Sequence, residues 1–370
     1  MSSLYSTVPS GDAAVKAAST LPIIDIAPWI DGHDHKGRLS AAAAIHAACL
    51  EFGFFYLDVT SFVSPEEPEE LSRLAREFFA LPQEEKDKIS LNNQDHARGY
   101  QRLRENVTMG LADNHEAIDF YRPVENPDKG KVLWGENQWP NIPEFLDKYE
   151  AWIDRMKALG LIVMHAMAMG LGMTDAEWED LKAQVDDSFW VLRILGYPPL
   201  PNDDQGFSCG AHKDYGCLTF LWADRTRGAL QVFLPQQFLA VENPGSVIRQ
   251  EGIEEGIWIT VDPIPGCIVC NIGEMWEVWS NGLYKSTLHR VIHRGSNYRV
   301  SIPFFFEPNF DAEVAPLEAA RRIQRDLHLV TESHHTHKQV LEKIYEPVVY
   351  GDFLREKVNN NFVTGGGKYN

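Results

Sequence analysis

Apolar residues recur at helical spacing through much of the first half of the chain and then break into short strand-like runs. The run Leu21-Pro22-Ile23-Ile24-Asp25 reads as a strand and Phe54-Phe55-Tyr56-Leu57-Asp58-Val59 as a second, because aromatic and β-branched residues suit a pleated surface. Between them, the alanine-rich stretch 39–51 predicts a helix. Ser64 precedes Pro65, with Glu67 three residues after the serine, which predicts a capping box with proline at the first helical position. That helix is expected to reach Ala80 and to stop at Leu81-Pro82. The stretch 100–143, rich in Gly, Pro, Asn and Trp without a clear period, predicts irregular packed loop. Over 144–172, Phe145, Tyr149, Trp152, Met156, Leu159, Val163 and Met167 fall at three- and four-residue steps, so a long helix is expected. Thr174 with Glu177 is a second capping box for a short helix.

The pattern changes near residue 188. Strand-like runs follow at 189–197, 216–222, 229–234, 257–261, 266–272, 283–292 and 298–306, split by Gly, Pro, Asn and Asp. Many short strands at such spacing predict an all-β sandwich or jelly roll. Helical signals return at 316–328 and 336–345, and residues 1–20 are Ser/Ala/Gly-rich, as in a loose arm.

Composition narrows the function classes. A length of 370 residues fits two or three domains, or one barrel with helical extensions. With 44% apolar residues the chain can bury a large core. The 34 Lys and Arg against 53 Asp and Glu leave a net charge of −19, which argues against nucleic acid as a partner, since phosphate binding needs a basic face. A small acidic ligand stays compatible, because one buried arginine can hold a carboxylate whatever the total charge. Five cysteines, an odd number, make no disulfide framework. The longest apolar stretch, Ala158 to Met173, is shorter than a bilayer needs and contains His165. With no basic segment leading into a long apolar one at the N-terminus, the expectation is a cytoplasmic protein without membrane association. Oligomeric state is not readable from the sequence.

Candidate chemistry lies in the β-rich half. In Gly210-Ala211-His212-Lys213-Asp214 the period of two puts His212 and Asp214 on one side of a strand. A third ligand, His289, stands in Ser286-Thr287-Leu288-His289-Arg290, in another strand candidate. Two histidines and one carboxylate form the facial triad of non-haem Fe(II) oxygenases, which leaves three coordination positions for a co-substrate and O₂. Ten residues past His289, Arg299-Val300-Ser301 puts a guanidinium and a hydroxyl on one face, a pair suited to a carboxylate. Tyr197, in Gly196-Tyr197-Pro198-Pro199, offers a further hydroxyl. Cys267-Ile268-Val269-Cys270 reads as a core strand with its thiols on opposite faces, Cys217 as small core filler, and His334-His335-Thr336-His337 as a solvated loop.

His212-Lys213-Asp214, His289 and Arg299-Val300-Ser301, in that order, resemble the HxD…H…RxS pattern of Fe(II)/2-oxoglutarate-dependent dioxygenases, in the branch similar to isopenicillin N synthase and the plant oxidases. The likeness covers most of the chain. Glu51-Phe52-Gly53-Phe54-Phe55, Phe78-Phe79-Ala80-Leu81-Pro82 and Arg98-Gly99-Tyr100 look like the N-terminal module of that branch, and Asn271-Ile272-Gly273-Glu274 like a barrel segment. The resemblance implies an α+β fold, a double-stranded β-helix (jelly roll) core flanked by helices. Its expected division is a flexible arm over 1–20, an N-terminal mixed α/β module over 21–187, the catalytic core over 188–310 and C-terminal helices over 311–370.

By the same resemblance, His212, Asp214 and His289 would hold Fe(II), and Arg299, Ser301 and Tyr197 the distal carboxylate of the cosubstrate 2-oxoglutarate. Phe305, Tyr215, Thr108 and Arg193 are candidates for the substrate pocket. The implied reaction consumes O₂ and oxidises a small organic molecule through a ferryl species, with hydroxylation as the main expectation. There are departures from the family pattern. Leu195 stands where the family often has Asn, and 233–257 is longer than the usual hairpin, an extra loop and a candidate lid. Three alternatives stay open. One is a ring-forming oxidase that uses no 2-oxoglutarate. The second is an ethylene-forming enzyme, similar in Arg98-Gly99-Tyr100 and Val107-Thr108 but carrying Asn106 where that group has an acid. The third is a non-catalytic binding protein.

Overall fold

Every second residue of the run 299–306 faces a different core, and that alternation organises the molecule. The computed structural model describes residues 20–108, 110–200, 206–235, 248–250, 253–333 and 345–362. The strands in chain order are β1 (Ile23–Asp25), β2 (Phe54–Asp58), β3 (Gly99–Gln101), β4 (Val107–Thr108), β5 (Leu111–Ala112), β6 (Glu116–Tyr121), β7 (Val191–Tyr197), β8 (Cys209–His212), β9 (Leu218–Ala223), β10 (Leu230–Pro235), β11 (Ile248–Gln250), β12 (Ile253–Thr260), β13 (Cys267–Ile272), β14 (His289–Val291), β15 (Arg299–Phe306), β16 (Glu313–Val314) and β17 (Val348–Val349). The helices are α1 (Ala27–Asp31), α2 (His35–Glu51), α3 (Glu66–Phe79), α4 (Gln83–Asp87), α5 (Phe145–Gly170), α6 (Asp175–Lys182), α7 (Glu274–Trp279), α8 (Glu318–Ser333) and α9 (Tyr350–Phe362).

Two sheets form the jelly roll. The larger runs β1-β2-β13-β9-β15-β7-β6-β3 and the smaller β11-β12-β10-β14-β8. One face of the larger sheet, with Val300, Ile302, Phe304 and Phe306, packs into the main core with α2, α3 and α5. A second core, including Tyr56, Leu195, Tyr197, Val232, Leu234, Val269 and Val291, fills the space between the sheets. In the register of β6, β7 and β15, Asp119 pairs with Arg193, Ala117 with Leu195, and Arg299 with Tyr197. The face carrying these residues is therefore the one turned toward the smaller sheet. Among the described residues, no helix is long and apolar enough to cross a membrane.

The long helix appears where its spacing predicts, as α5, and Thr174 and Glu177 close their capping box at α6. The other expected box does not form. Pro65 is the N-cap of α3 and Ser64 makes no side-chain cap, because Glu67 turns away to accept a 2.9 Å hydrogen bond from Arg155 Nε on α5. The stretch 100–143 is not all loop, since it carries β4, β5 and β6. In β6 the acids Glu116 and Asp119 hide the strand pattern. They are buried because Lys86 and Arg193 meet them, each at 2.7 Å. Only 289–291 of the expected strand 283–292 is extended, and the helix α7 precedes it. The expected helix 316–328 is α8, whereas α9 had no predicted counterpart. Most of 336–345, the histidine cluster 334–337 and the arm 1–19 lie outside the described residues. So does most of the proposed lid, though β11 and the start of β12 form an antiparallel pair within it.

Close packing of α5 on β15 depends on Gly160. A Cβ there would overlap the Phe306 ring, which cannot step aside from a central strand. Gly160→Ala is expected to lower the unfolding free energy by about 1–3 kcal/mol, despite alanine's better helix propensity. Denaturant melts of the variant against the wild-type chain measure this.

Candidate active site

The strand β8 ends at His212, and Asp214 lies just beyond it, so strand alternation does not set their shared direction. A bulge does part of that work. Between the pairs His289↔His212 and Val291↔Cys209, β8 takes three steps against two on β14. The extra residue bends the strand and re-aims its end. The loop carrying Asp214 is pinned by backbone. Glu274 N donates to Asp214 O at 2.9 Å, Gly273 N to Cys217 O at 2.9 Å and Met275 N to Gly216 O at 3.0 Å. Gly273 must be glycine for this approach, since a Cβ would overlap the Gly216 carbonyl.

Three ligand atoms converge. His212 Nε2 lies 3.7 Å and His289 Nε2 3.6 Å from Asp214 Oδ1, and the set spans no more than 4.8 Å. Each imidazole is oriented from behind. His212 Nδ1 is 2.9 Å from Gly210 O and His289 Nδ1 is 3.1 Å from Thr287 O. A carbonyl only accepts, so both Nδ1 atoms carry the proton and both Nε2 lone pairs face Asp214. The carboxylate is oriented as well, because Oδ2 accepts from Thr219 Oγ1 at 2.5 Å and Asn271 Nδ2 at 2.6 Å, which leaves Oδ1 for the cluster. Burial pushes the Asp214 carboxyl up, but the two imidazoles and these hydrogen bonds outweigh it and hold it below the ordinary carboxylate value. Burial brings the His289 imidazole down to about 4, so it stays neutral as a metal ligand must. Two nitrogens and one oxygen on one side suit a ferrous ion.

A second group of ligand atoms lies nearby on Asp113, His115 and Cys209. Its carboxylate is already engaged, accepting from Gly210 N at 2.8 Å, Asn106 Nδ2 at 2.5 Å and Thr108 Oγ1 at 2.7 Å.

Arg299 is only 2% exposed, and its Nε and Nη1 have no hydrogen-bond partner. The guanidinium lies 4.8 Å from the Tyr197 ring centre, and Ser301 is buried two residues on. Arg98 provides a contrast, since it is equally buried but meets the Asp95 carboxylate at 2.5 Å. Among the described residues no carboxylate does this for Arg299. A buried cation left so costs several kcal/mol, and an anionic guest such as a carboxylate would remove most of that cost. The donors present thus fit a keto-diacid.

A cavity of about 110 Å³ opens onto His212 and Asp214. Of the candidate pocket residues, Tyr215, Phe305 and Arg193 line this cavity, together with Asn106, Asp119, Tyr121 and Val191. Thr108 is not in that lining. The lining also includes Glu307, directly after β15, and Tyr350, Leu354 and Val358 of α9, none of them singled out by residue from the sequence. The four-residue spacing of the last three, one face of a helix, was the available signal. Phe120 and Trp139 stack on each other at 3.9 Å, and Trp134 packs on Phe310 at 4.9 Å, so these aromatics are core.

Comparison with known proteins agrees with this geometry. Residues 187–308 match the family described as 2OG-Fe(II) oxygenase superfamily, and 21–142 the family described as non-haem dioxygenase in morphine synthesis N-terminal. Homoarginine-6-hydroxylase 2-ODD-C23 of Glycine max is 40% identical over 364 residues, covering 93% of this chain and 98% of that protein. A 2-oxoglutarate-Fe(II) type oxidoreductase of Aspergillus fumigatus is 31% identical, over 78% of this chain and 82% of its own. Among solved structures, full-length T7H of Neurospora crassa in complex with alpha-KG superposes with a TM-score of 0.71 at 26% identity, covering 91% of this chain and 95% of that one. The chain belongs to the 2OG-Fe(II) oxygenase superfamily and is a 2-oxoglutarate-dependent dioxygenase that uses iron(II), 2-oxoglutarate and O₂.

Proposed function

We propose that this dioxygenase hydroxylates a small cationic amino acid of the homoarginine class, with His212, Asp214 and His289 holding the iron and Arg299, Ser301 and Tyr197 the distal carboxylate of 2-oxoglutarate. The observation that carries the cosubstrate assignment is the Arg299 guanidinium, buried without an anion. The substrate class rests on the 40% identity to a homoarginine-6-hydroxylase and on the acid Glu307 in the cavity lining.

Bound iron(II), 2-oxoglutarate and O₂ supply the oxidation, in which one oxygen atom enters the substrate and the other leaves in succinate, with loss of CO₂. The chain's own contribution is placement. Thr219 and Asn271 hold one oxygen of Asp214 so that the other points at the metal. The carbonyls of Gly210 and Thr287 fix the two imidazole planes. Phe305, Val191, Leu354 and Val358 give the cavity an apolar wall that keeps bulk water from the reacting carbon. Oxidation of a C–H bond needs no base from the protein.

Anaerobic titration with Fe(II) and 2-oxoglutarate should give a weak visible charge-transfer band. His212→Ala or Asp214→Ala should abolish it, and Arg299→Ala should weaken 2-oxoglutarate binding by about 1.5–3 kcal/mol. Unchanged affinity in Arg299→Ala would remove the clamp role. Asn271→Ala keeps all three ligands, and its iron affinity, read by competition with a chelator, should drop roughly 10- to 100-fold. Incubation with homoarginine should yield one succinate per hydroxylated product. Ethylene in the headspace, or product without succinate, would instead favour the fragmenting or the 2-oxoglutarate-independent reaction.

A further inference from the structure

Besides Asp214, the cavity lining carries two buried acids, Asp119 and Glu307, and one arginine, Arg193. Asp119 is matched, because Arg193 Nε meets it at 2.7 Å, and Arg193 Nη2 reaches Gln101 at 3.0 Å. Glu307 is not matched. It is 3% exposed, its side chain accepts from Cys217 N at 2.8 Å, and among the described residues it makes no ion pair. Burial pushes its carboxyl up to about 8, as expected for an acid without a cation beside it. Next to it stands the buried hydroxyl of Tyr350, which faces the Glu307 carboxyl.

The surroundings keep this carboxyl in place at the cavity. Gly216, two residues past Asp214, lies so close that a Cβ there would overlap the Glu307 oxygens. Asn106, the polar residue across the lining, is neutral and donates its amide to Asp113 at 2.5 Å. A guest with a cationic end and a carbon chain thus finds one uncompensated acid, with Phe305, Val191, Leu354 and Val358 to cover its methylenes.

We propose that Glu307 is the specificity-determining residue of this enzyme, receiving the guanidinium or ammonium end of the substrate with the Tyr350 hydroxyl alongside. The proposal rests on the reading of the substrate as a cationic amino acid, and it adds which residue recognises the charge.

The test uses the full-length chain loaded anaerobically with Fe(II) and 2-oxoglutarate. Homoarginine and homocitrulline, its neutral ureido counterpart of similar shape, are titrated in, and the change in the visible band gives their affinities. Wild-type enzyme should prefer homoarginine. Glu307→Gln keeps the acceptor for Cys217 N and removes the charge. It should lose about 10- to 100-fold in homoarginine affinity, the scale of one charge-assisted contact, while homocitrulline affinity and the iron and 2-oxoglutarate affinities stay put. Undiminished homoarginine affinity, or equal loss of both ligands, overturns the role. If Glu307→Gln does not fold, Glu307→Asp carries the test, and must still rank homoarginine above homocitrulline. Wild-type enzyme that binds neither compound, or favours the neutral one, rejects the substrate reading itself, a result distinct from a Glu307 variant without effect.

Discussion

The Asp214 carboxylate is divided between two tasks, and the site depends on that division. One oxygen is held by Thr219 on β9 and Asn271 on β13, neighbouring strands of the larger sheet. The other faces the imidazoles of the smaller sheet. A short loop outside any strand thereby becomes the junction of the two sheets, pinned by the first residues of α7. A carboxylate free to rotate would give either oxygen to the metal, or both. Here hydrogen bonding from one side leaves a single donor and keeps room for other ligands.

Several other buried charges of the barrel are paired. Lys86 meets Glu116, Arg98 meets Asp95 and Arg193 meets Asp119. Such pairs do little for stability in themselves, but each lets a polar residue occupy a strand or turn that would otherwise reject it. Against that background, among the described residues Arg299 has no carboxylate beside it and Glu307 no cation. They have opposite signs and lie near opposite ends of β15, at its first residue and just past its last.

Much of this was legible in the sequence because strand alternation is local. Arg299, Ser301 and Phe305 could be placed on one face from their spacing, and the long helix from its apolar steps. The HxD…H…RxS order also marked the candidate ligands, although the bulge in β8 and the loop after it replaced the simple alternation assumed for His212 and Asp214. What escaped was set by distant partners. β6 reads as polar until Lys86 and Arg193 are seen to cover its acids. The capping box at Ser64 failed because Arg155, on another helix, claimed Glu67. Glu307 carries no local sign of its role, since the cavity it faces is completed by residues more than forty positions further on.

That completion by α9 separates two kinds of change. His212, His289 and Arg299 lie on strands whose register fixes them, and Asp214 is pinned by the backbone at the start of α7, so altering any of these positions disturbs the barrel. Tyr350, Leu354 and Val358 sit on a helix that belongs to neither sheet. Substitutions along its inner face can reshape the guest chamber while the oxidising centre stays as it is. A lineage built on this plan is free to exchange one nutrient or metabolite for another by drift in a single terminal helix.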